Sequence, residues 1–235
     1  MAQYKRVLIK VSGEALAGGK STGLDFEFIE TVCKAIKKCT EKGVQVGLVC
    51  GGGNFWRGVK DGGGKMERSR ADHMGMLATV MNSLAVQDKM EQLGMKVKVM
   101  TSVPMKTFAD PYTRRDAVEA MESGYVVIFG GGTGNPYFST DTAAALRACE
   151  INADAILLAK NIDGVYTADP RTDDTATKYE SVTYAEVLNK HLNVMDITAT
   201  SLAMDNGIPS IVFALADPDN IVRAVDGEKV GTTVI

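Results

Sequence analysis

Histidine is nearly absent, with two residues in 235, and there are only four cysteines, Cys33, Cys39, Cys50 and Cys149. No two cysteines stand in a C-x-x-C pair or at metal-ligand spacing, so a structural zinc site lacks its ligands. The cysteines read as free thiols, which suits a reducing cytoplasm. No apolar run approaches the roughly 18 residues of a membrane span. The start, Met1-Ala2-Gln3-Tyr4-Lys5-Arg6, leads straight into a strand pattern, so neither a signal peptide nor a membrane partner is expected. A basic excess is also missing. The 26 Lys and Arg against 29 Asp and Glu give a net charge of -3 and a pI near 5.5. That leaves nothing to neutralise phosphates in bulk, which argues against nucleic acid as a partner. Pro- or Ser-rich linkers, low-complexity tracts and repeats are absent too. One domain over 1–235 is expected, long enough to bury a sizeable core.

What is present is an alternation. Strand-like apolar runs fall at 6–11, 44–50, 96–101, 125–130, 155–159 and 209–214, with a terminal Thr232-Thr233-Val234-Ile235. Helical patterns fall at 25–42, 70–93, 114–123, 140–152, 183–191, 196–206 and 218–226. Thr140-Asp141 offers cap chemistry, and Asp217-Pro218 reads as an N-cap followed by Pro at the first helical position. Helix 25–42 carries Phe26, Ile29, Cys33 and Ile36 on one face, available to the core or to a subunit interface. Alternating strands and helices predict an α/β fold with a mostly parallel central sheet and helices on both faces. Short, wholly apolar strands such as VVIFG and AILLA suit strands covered on both sides. Residues 160–182 lack apolar periodicity and read as an excursion over an active site.

In such a sheet, ligands sit beyond the carboxyl ends of the strands. Strand one ends in KVSGEALAGGKSTG, which invites comparison with a P-loop. The G-x-x-x-x-G-K-[ST] spacing fails, because the first Gly falls at 13 and Glu14 takes the required place. Strand two ends in CGGGNFWRG, strand four in FGGGTGNPYFSTD and strand five in AKNIDGVYTADP. Two triple-Gly runs, each after a strand, favour backbone nests for phosphate over ordinary turns. Neither contains the dinucleotide fingerprint G-x-G-x-x-G. Lys10 interrupts an apolar strand end, either as a snorkelling surface group or as a cation aimed at phosphate oxygens. Arg57 has the planar fork for bidentate phosphate contact. Asp72 starts the Met-rich helix and reads as a helix cap, and Asp163 and Asp196 read as caps or catalytic groups. His73 is read as structural, Trp56 as a ligand shield or core cover, and Met74, Met76, Met81 and Met90 as packing. Phosphoryl transfer needs mainly positioning and positive charge. No proton acceptor is evident, which suits an acceptor that is already an anion.

The stretches KRVLIKVSGEAL, GVQVGLVCGGGNFWRG, ADHMGMLATVMNSLA, GGGTGNPYFSTDTAAALRA, DGVYTADP and VMDITA together resemble the bacterial uridylate kinases of the amino-acid kinase superfamily, nearly end to end. The resemblance implies a three-layer α/β/α sandwich and transfer of the γ-phosphate of MgATP to UMP. It implies that Lys10, Val11, Ser12, Gly13, Gly53 and Arg57 hold the ATP phosphates, with Lys10 and Arg57 stabilising the transition state. Lys160 or Asn161, with Tyr166 and Asp169, lines the adenosine site. Gly52, Asp72 and the run Thr133, Gly134, Asn135, Pro136, Tyr137, Phe138, Ser139 and Thr140 hold UMP. Asp163 and Asp196 orient the catalytic cation, Mg2+ arriving with ATP, and no further metal site is implied. Residues 1–154 form the acceptor half and 155–235 the nucleotide half. A cytoplasmic homohexamer serving pyrimidine nucleotide (CTP) synthesis is implied, allosteric, activated by GTP and inhibited by UTP. The loop Gly18–Gly23 matches a segment tied to GTP regulation.

Overall fold

The computed structural model describes residues 2–57, 61 and 64–235. Gly58, the last residue of the second glycine loop, lies outside them. The strands are β1 (Arg6–Val11), β2 (Gln45–Cys50), β3 (Val97–Thr101), β4 (Asp110–Pro111), β5 (Val126–Gly130), β6 (Ala155–Lys160), β7 (Ser181–Val182), β8 (Ser210–Ala214) and β9 (Thr232–Val234). The helices are α1 (Gly13–Leu16), α2 (Phe26–Glu41), α3 (Arg68–Gln92), α4 (Arg114–Glu122), α5 (Thr140–Glu150), α6 (Tyr184–Asn189), α7 (Ile197–Asp205) and α8 (Asp219–Val225). All the strands join one sheet in the order β4-β3-β5-β2-β1-β6-β8-β9-β7. Every pairing is parallel except β8 with β9. The fold is the expected α/β class.

The period of two along each strand divides the core into two layers. On β1, Val7, Ile9 and Val11 join Ile29, Ile36, Met90 and Ile221 from α2, α3 and α8. Leu8 faces the other way, with Ala117, Ala144, Val187 and Ala199 from α4, α5, α6 and α7. Lys10 shares the parity of Leu8, so its side chain leaves β1 on the α5 side. The chain runs outward from β1 through β2, then returns to β1 with β6 on its other flank. That reversal opens a crevice at the carboxyl end of β1, where ligands bind in open α/β sheets.

Several boundaries move for identifiable reasons. Helix α3 begins at Arg68, and its cap is Glu67, whose carboxylate accepts the N–H groups of Ser69 and Arg70. Asp72 therefore does not cap it. Ser139, rather than Thr140 or Asp141, caps α5. Pro218 is itself the cap residue of α8, and Asp217 still accepts the Asp219 N–H at 3.1 Å. The apolar stripe of α2 is spent on the core, apart from exposed Phe26. Met76 and Met90 are buried as expected, but Met74 and Met81 face outward. The short α1, β4 and β7 carry too few residues for a periodic signal. Burial pushes the thiols of Cys33, Cys39 and Cys50 up to about 12, so these cysteines are inert packing groups.

Candidate active site

Lys10 is buried, not a snorkelling surface group, with 8 % of its surface exposed. Its Nζ lies 2.6 Å from Oδ1 of Asp141, the second residue of α5. Lys160, at the end of β6, has the same strand parity. Its Nζ donates to the Val194 carbonyl, and its charge acts on Asp141. Burial raises the Asp141 carboxyl, but the Lys10 and Lys160 ammonium groups outweigh it and hold the carboxyl below its ordinary value. Burial pulls the Lys160 ammonium below its ordinary value, against the opposing pull of Asp141. The result is two cations around one anion at the strand ends, a net positive centre in a low-dielectric setting.

The glycine loops close around this centre. A Cβ on Gly13 would meet Gly51 O at 2.6 Å and Gly53 N at 2.7 Å, so only glycine lets the first two loops touch. Asn54 and Asn82, both buried, exchange hydrogen bonds of 2.9 and 2.7 Å. Asn82 also donates to Gly51 O at 2.6 Å, and Asn54 to Gly23 O at 2.8 Å. This network ties the second glycine loop to α3 and to the P-loop look-alike, whose Thr22 hydroxyl donates to Asn54 O at 2.7 Å. Arg57 pairs with Glu14, so the guanidinium sits on a carboxylate at the cavity mouth. Trp56 donates its indole N–H to Ala71 O at 2.9 Å and lines the same cavity.

The third loop carries positive φ at Gly131, Gly132, Gly134 and Tyr137. Gly131 N–H donates to the Thr79 hydroxyl at 2.9 Å. At the far end, Asp72 Oδ2 accepts the Tyr137 N–H at 2.8 Å and Arg68 Nε at 2.8 Å.

A cavity of about 400 Å³ is lined by Lys10, Ser12, Gly13, Gly52, Gly53, Arg57, Asp72, Thr133, Asn135, Phe138, Ser139 and Thr140 among the expected residues. A second, of about 530 Å³, is lined by Lys10, Ser12, Lys160, Asn161, Tyr166 and Asp169. Lys10, Ser12 and Glu14 belong to both linings. Val11, Gly134, Pro136 and Asp163 line neither. Asp163 instead accepts from Tyr166 at 2.8 Å and Lys178 at 3.0 Å, and these partners hold its carboxyl below the ordinary value despite some burial. Asp169 is held to about 2 by Arg171. Asp196 and Tyr137 line a third cavity of about 720 Å³ beside α7. Asp196 caps α7 and accepts from the Ser139 and Thr142 hydroxyls. Among the described residues, no three His, Cys, Asp or Glu side chains come together to hold a metal ion. No helix there is long and apolar enough to cross a membrane.

Sequence reasoning missed Asp141, Glu14 and the Asn54–Asn82 pair. Asp141 beside a cap residue has an ordinary explanation; only its parity with Lys10 across the layer reveals the pairing. In the sequence Glu14 reads as the residue that breaks the P-loop spacing, and nothing local marks it as a partner of Arg57.

The profile of the amino acid kinase family matches residues 5–214. Solved structures superpose on the whole chain. The UMP kinase of Bacillus anthracis is 40% identical with a TM-score of 0.95, covering 98% of this chain and 96% of that one. The UMP kinase of Ureaplasma parvum is 36% identical with a TM-score of 0.93, covering 99% of both chains. The uridylate kinase of Archaeoglobus fulgidus is 28% identical with a TM-score of 0.75, covering 100% of both.

Proposed function

Because the chain belongs to the amino acid kinase family, we propose that it transfers the γ-phosphate of MgATP to UMP, giving UDP and ADP. The observation that carries this reading is the pair of cavities joined at Lys10, Ser12 and Glu14. One cavity is lined wholly from the first 140 residues, the other mainly from residue 160 onward. This supports an acceptor half, 1–154, and a nucleotide half, 155–235. The UMP phosphate oxygen is already ionised and needs no general base. Lys10 and Arg57 offset charge as the phosphoryl group moves between the cavities. Lys10 to Gly13, Gly53 and Arg57 hold the ATP phosphates. Lys160 or Asn161, Tyr166 and Asp169 hold the adenosine end, with Asn161 the better placed of the first two because the Lys160 Nζ is already engaged by the Val194 carbonyl. Gly52, Asp72 and Thr133 to Thr140 hold UMP.

A Mg2+ that arrives on ATP needs only one or two carboxylates beside the phosphate oxygens. Asp163 and Asp196 would orient it, and the bound ion would supply positive charge to the migrating phosphoryl group. We further propose a role in pyrimidine nucleotide synthesis in the cytoplasm, with GTP activation and UTP inhibition, and assembly as a homohexamer. Support for self-association lies in Met74, Leu77 and Met81, which expose one apolar face of α3.

ADP release from MgATP, measured with UMP, CMP, dUMP, acetylglutamate, aspartate and carbamate in turn, with and without GTP, tests the reading. Turnover with UMP alone is expected. Activity on a carboxylate or carbamate instead would keep the fold and overturn the acceptor assignment.

A further inference from the structure

Arg68 lies outside the residues to which the proposed reaction assigns a role. It is the first residue of α3, and its Nε donates to Asp72 Oδ2 at 2.8 Å. The same oxygen accepts the Tyr137 N–H at 2.8 Å. The guanidinium also lies over the Tyr137 ring, 5.2 Å from its centroid. Tyr137 has φ 70, a left-handed conformation that costs a non-glycine residue free energy and persists only where its surroundings hold it.

Helix support does not account for this arginine. A cation in the first turn opposes the helix dipole. Placing the cation N-terminal to the acid at i,i+4 is the weaker orientation of such a pair. What the arrangement does provide is a fastening. Both bonds fall on Oδ2, so Asp72 Oδ1 accepts no hydrogen bond among the described residues, and Asp72 lines the 400 Å³ cavity.

We infer that Arg68 is a positioning residue for the acceptor nucleotide: it fixes the Asp72 carboxylate and, through it and the Tyr137 ring, the strained end of the Thr133–Thr140 loop. This rests on the reading of that loop and Asp72 as the UMP site. Arg68 acts through Asp72 and Tyr137, so its removal weakens acceptor binding and leaves the phosphate-transfer centre at Lys10 intact.

The test is UMP binding by equilibrium dialysis without ATP, paired with steady-state kinetics, on the full-length wild type, Arg68→Ala, Arg68→Lys and Tyr137→Ala. Arg68→Ala is expected to weaken UMP binding and raise the UMP KM roughly tenfold, the worth of one charge-assisted hydrogen bond. Its ATP KM and its kcat at saturating UMP should stay within about twofold, since uniform binding alone is lost. Arg68→Lys keeps the charge without the planar fork and should fall between wild type and Arg68→Ala. Tyr137→Ala keeps the N–H bond and loses the ring, for a loss of about threefold. Unchanged UMP affinity in Arg68→Ala, or equal losses for UMP and ATP, would overturn the inference while leaving the proposed reaction standing. A wild type that binds no UMP overturns both. If Arg68→Ala does not fold, Arg68→Lys and Tyr137→Ala carry the comparison, and UMP binding equal to wild type in both sinks it.

Discussion

Lys10 was legible as a candidate site residue because a charge interrupts an apolar strand, and burial of that kind demands a partner. The partner was not legible, since Asp141 lies 131 positions away in the chain and has a local explanation as cap chemistry. Their pairing gives Lys10→Met two separable effects. If Lys10 carries the proposed role at the phosphoryl group, turnover should drop by roughly 100-fold or more. Stability should drop by about 3 kcal/mol, because Asp141 keeps only Lys160 as a countercharge. The sign with pH follows from the lowered Asp141 carboxyl. A depressed carboxyl contributes stability above its unfolded value, near 3.8, and loses it as pH falls through the folded value. The deficit of Lys10→Met in urea melts should therefore be full at neutral pH and shrink as the pH falls below about 4; a pH-independent deficit would mean that the pair carries no such linkage. Glu14 makes a second prediction at this scale. A carboxylate paired with Arg57 competes with any phosphate for that guanidinium. Glu14→Gln should lower the ATP KM by about threefold at low salt, with the gain fading as salt screens the pair. A raised ATP KM would show that Glu14 positions Arg57 instead of occupying it.

Elements with a full period were the ones that sequence placed well. The strands from β1 to β8 that carry five or more residues fall within one residue of the apolar runs, because strands covered on both faces can hardly contain polar residues. Helix starts fell within one residue as well, except that of α3, which begins two residues before its apolar pattern. There Glu67 takes the cap in place of Asp72 and frees Asp72 for the loop beyond β5. The glycine loops were legible as loops but not as a mutually fastened set. The fastening is a pair of buried asparagines, and asparagine in a loop or helix has many uses. Asn82→Ala removes three hydrogen bonds at once and orphans Gly51 O. It should cost about 2 kcal/mol or more, as for other buried groups left unpaired. Both substrate KM values should rise, because Gly13 and Gly53 are packed against the same segment. Thermal melts and paired kinetics check this, and an effect on stability alone would mean that the loops hold their shape without the network.

Strand order is the level the sequence left open. Nothing in an apolar run says which neighbour it pairs with, and the crevice exists only because β2 and β6 flank β1. The same limit applies to surfaces. From periodicity α2 was as good an interface as any, but packing uses its stripe against the sheet and α8. Helix α3 is the converse: its long run of Met, Leu, Val and Ala exceeds what the core accepts, and Leu77 and Met81 are 52% and 50% exposed. They stand four residues apart, with Met74 one turn before, so they form one face. If the chain assembles through that face, Leu77→Glu buries a carboxylate against its counterpart in a second copy, at a cost of several kcal/mol. Within an isolated chain the same change is an exposed substitution that should shift stability by less than about 0.5 kcal/mol. Sedimentation velocity separates the two. The wild type is expected to sediment as a hexamer and Leu77→Glu as a smaller species with an unchanged melting profile measured as a monomer. A Leu77→Glu protein that still sediments as a hexamer would move the interface off α3, and a wild type that sediments as a monomer would end the case for assembly.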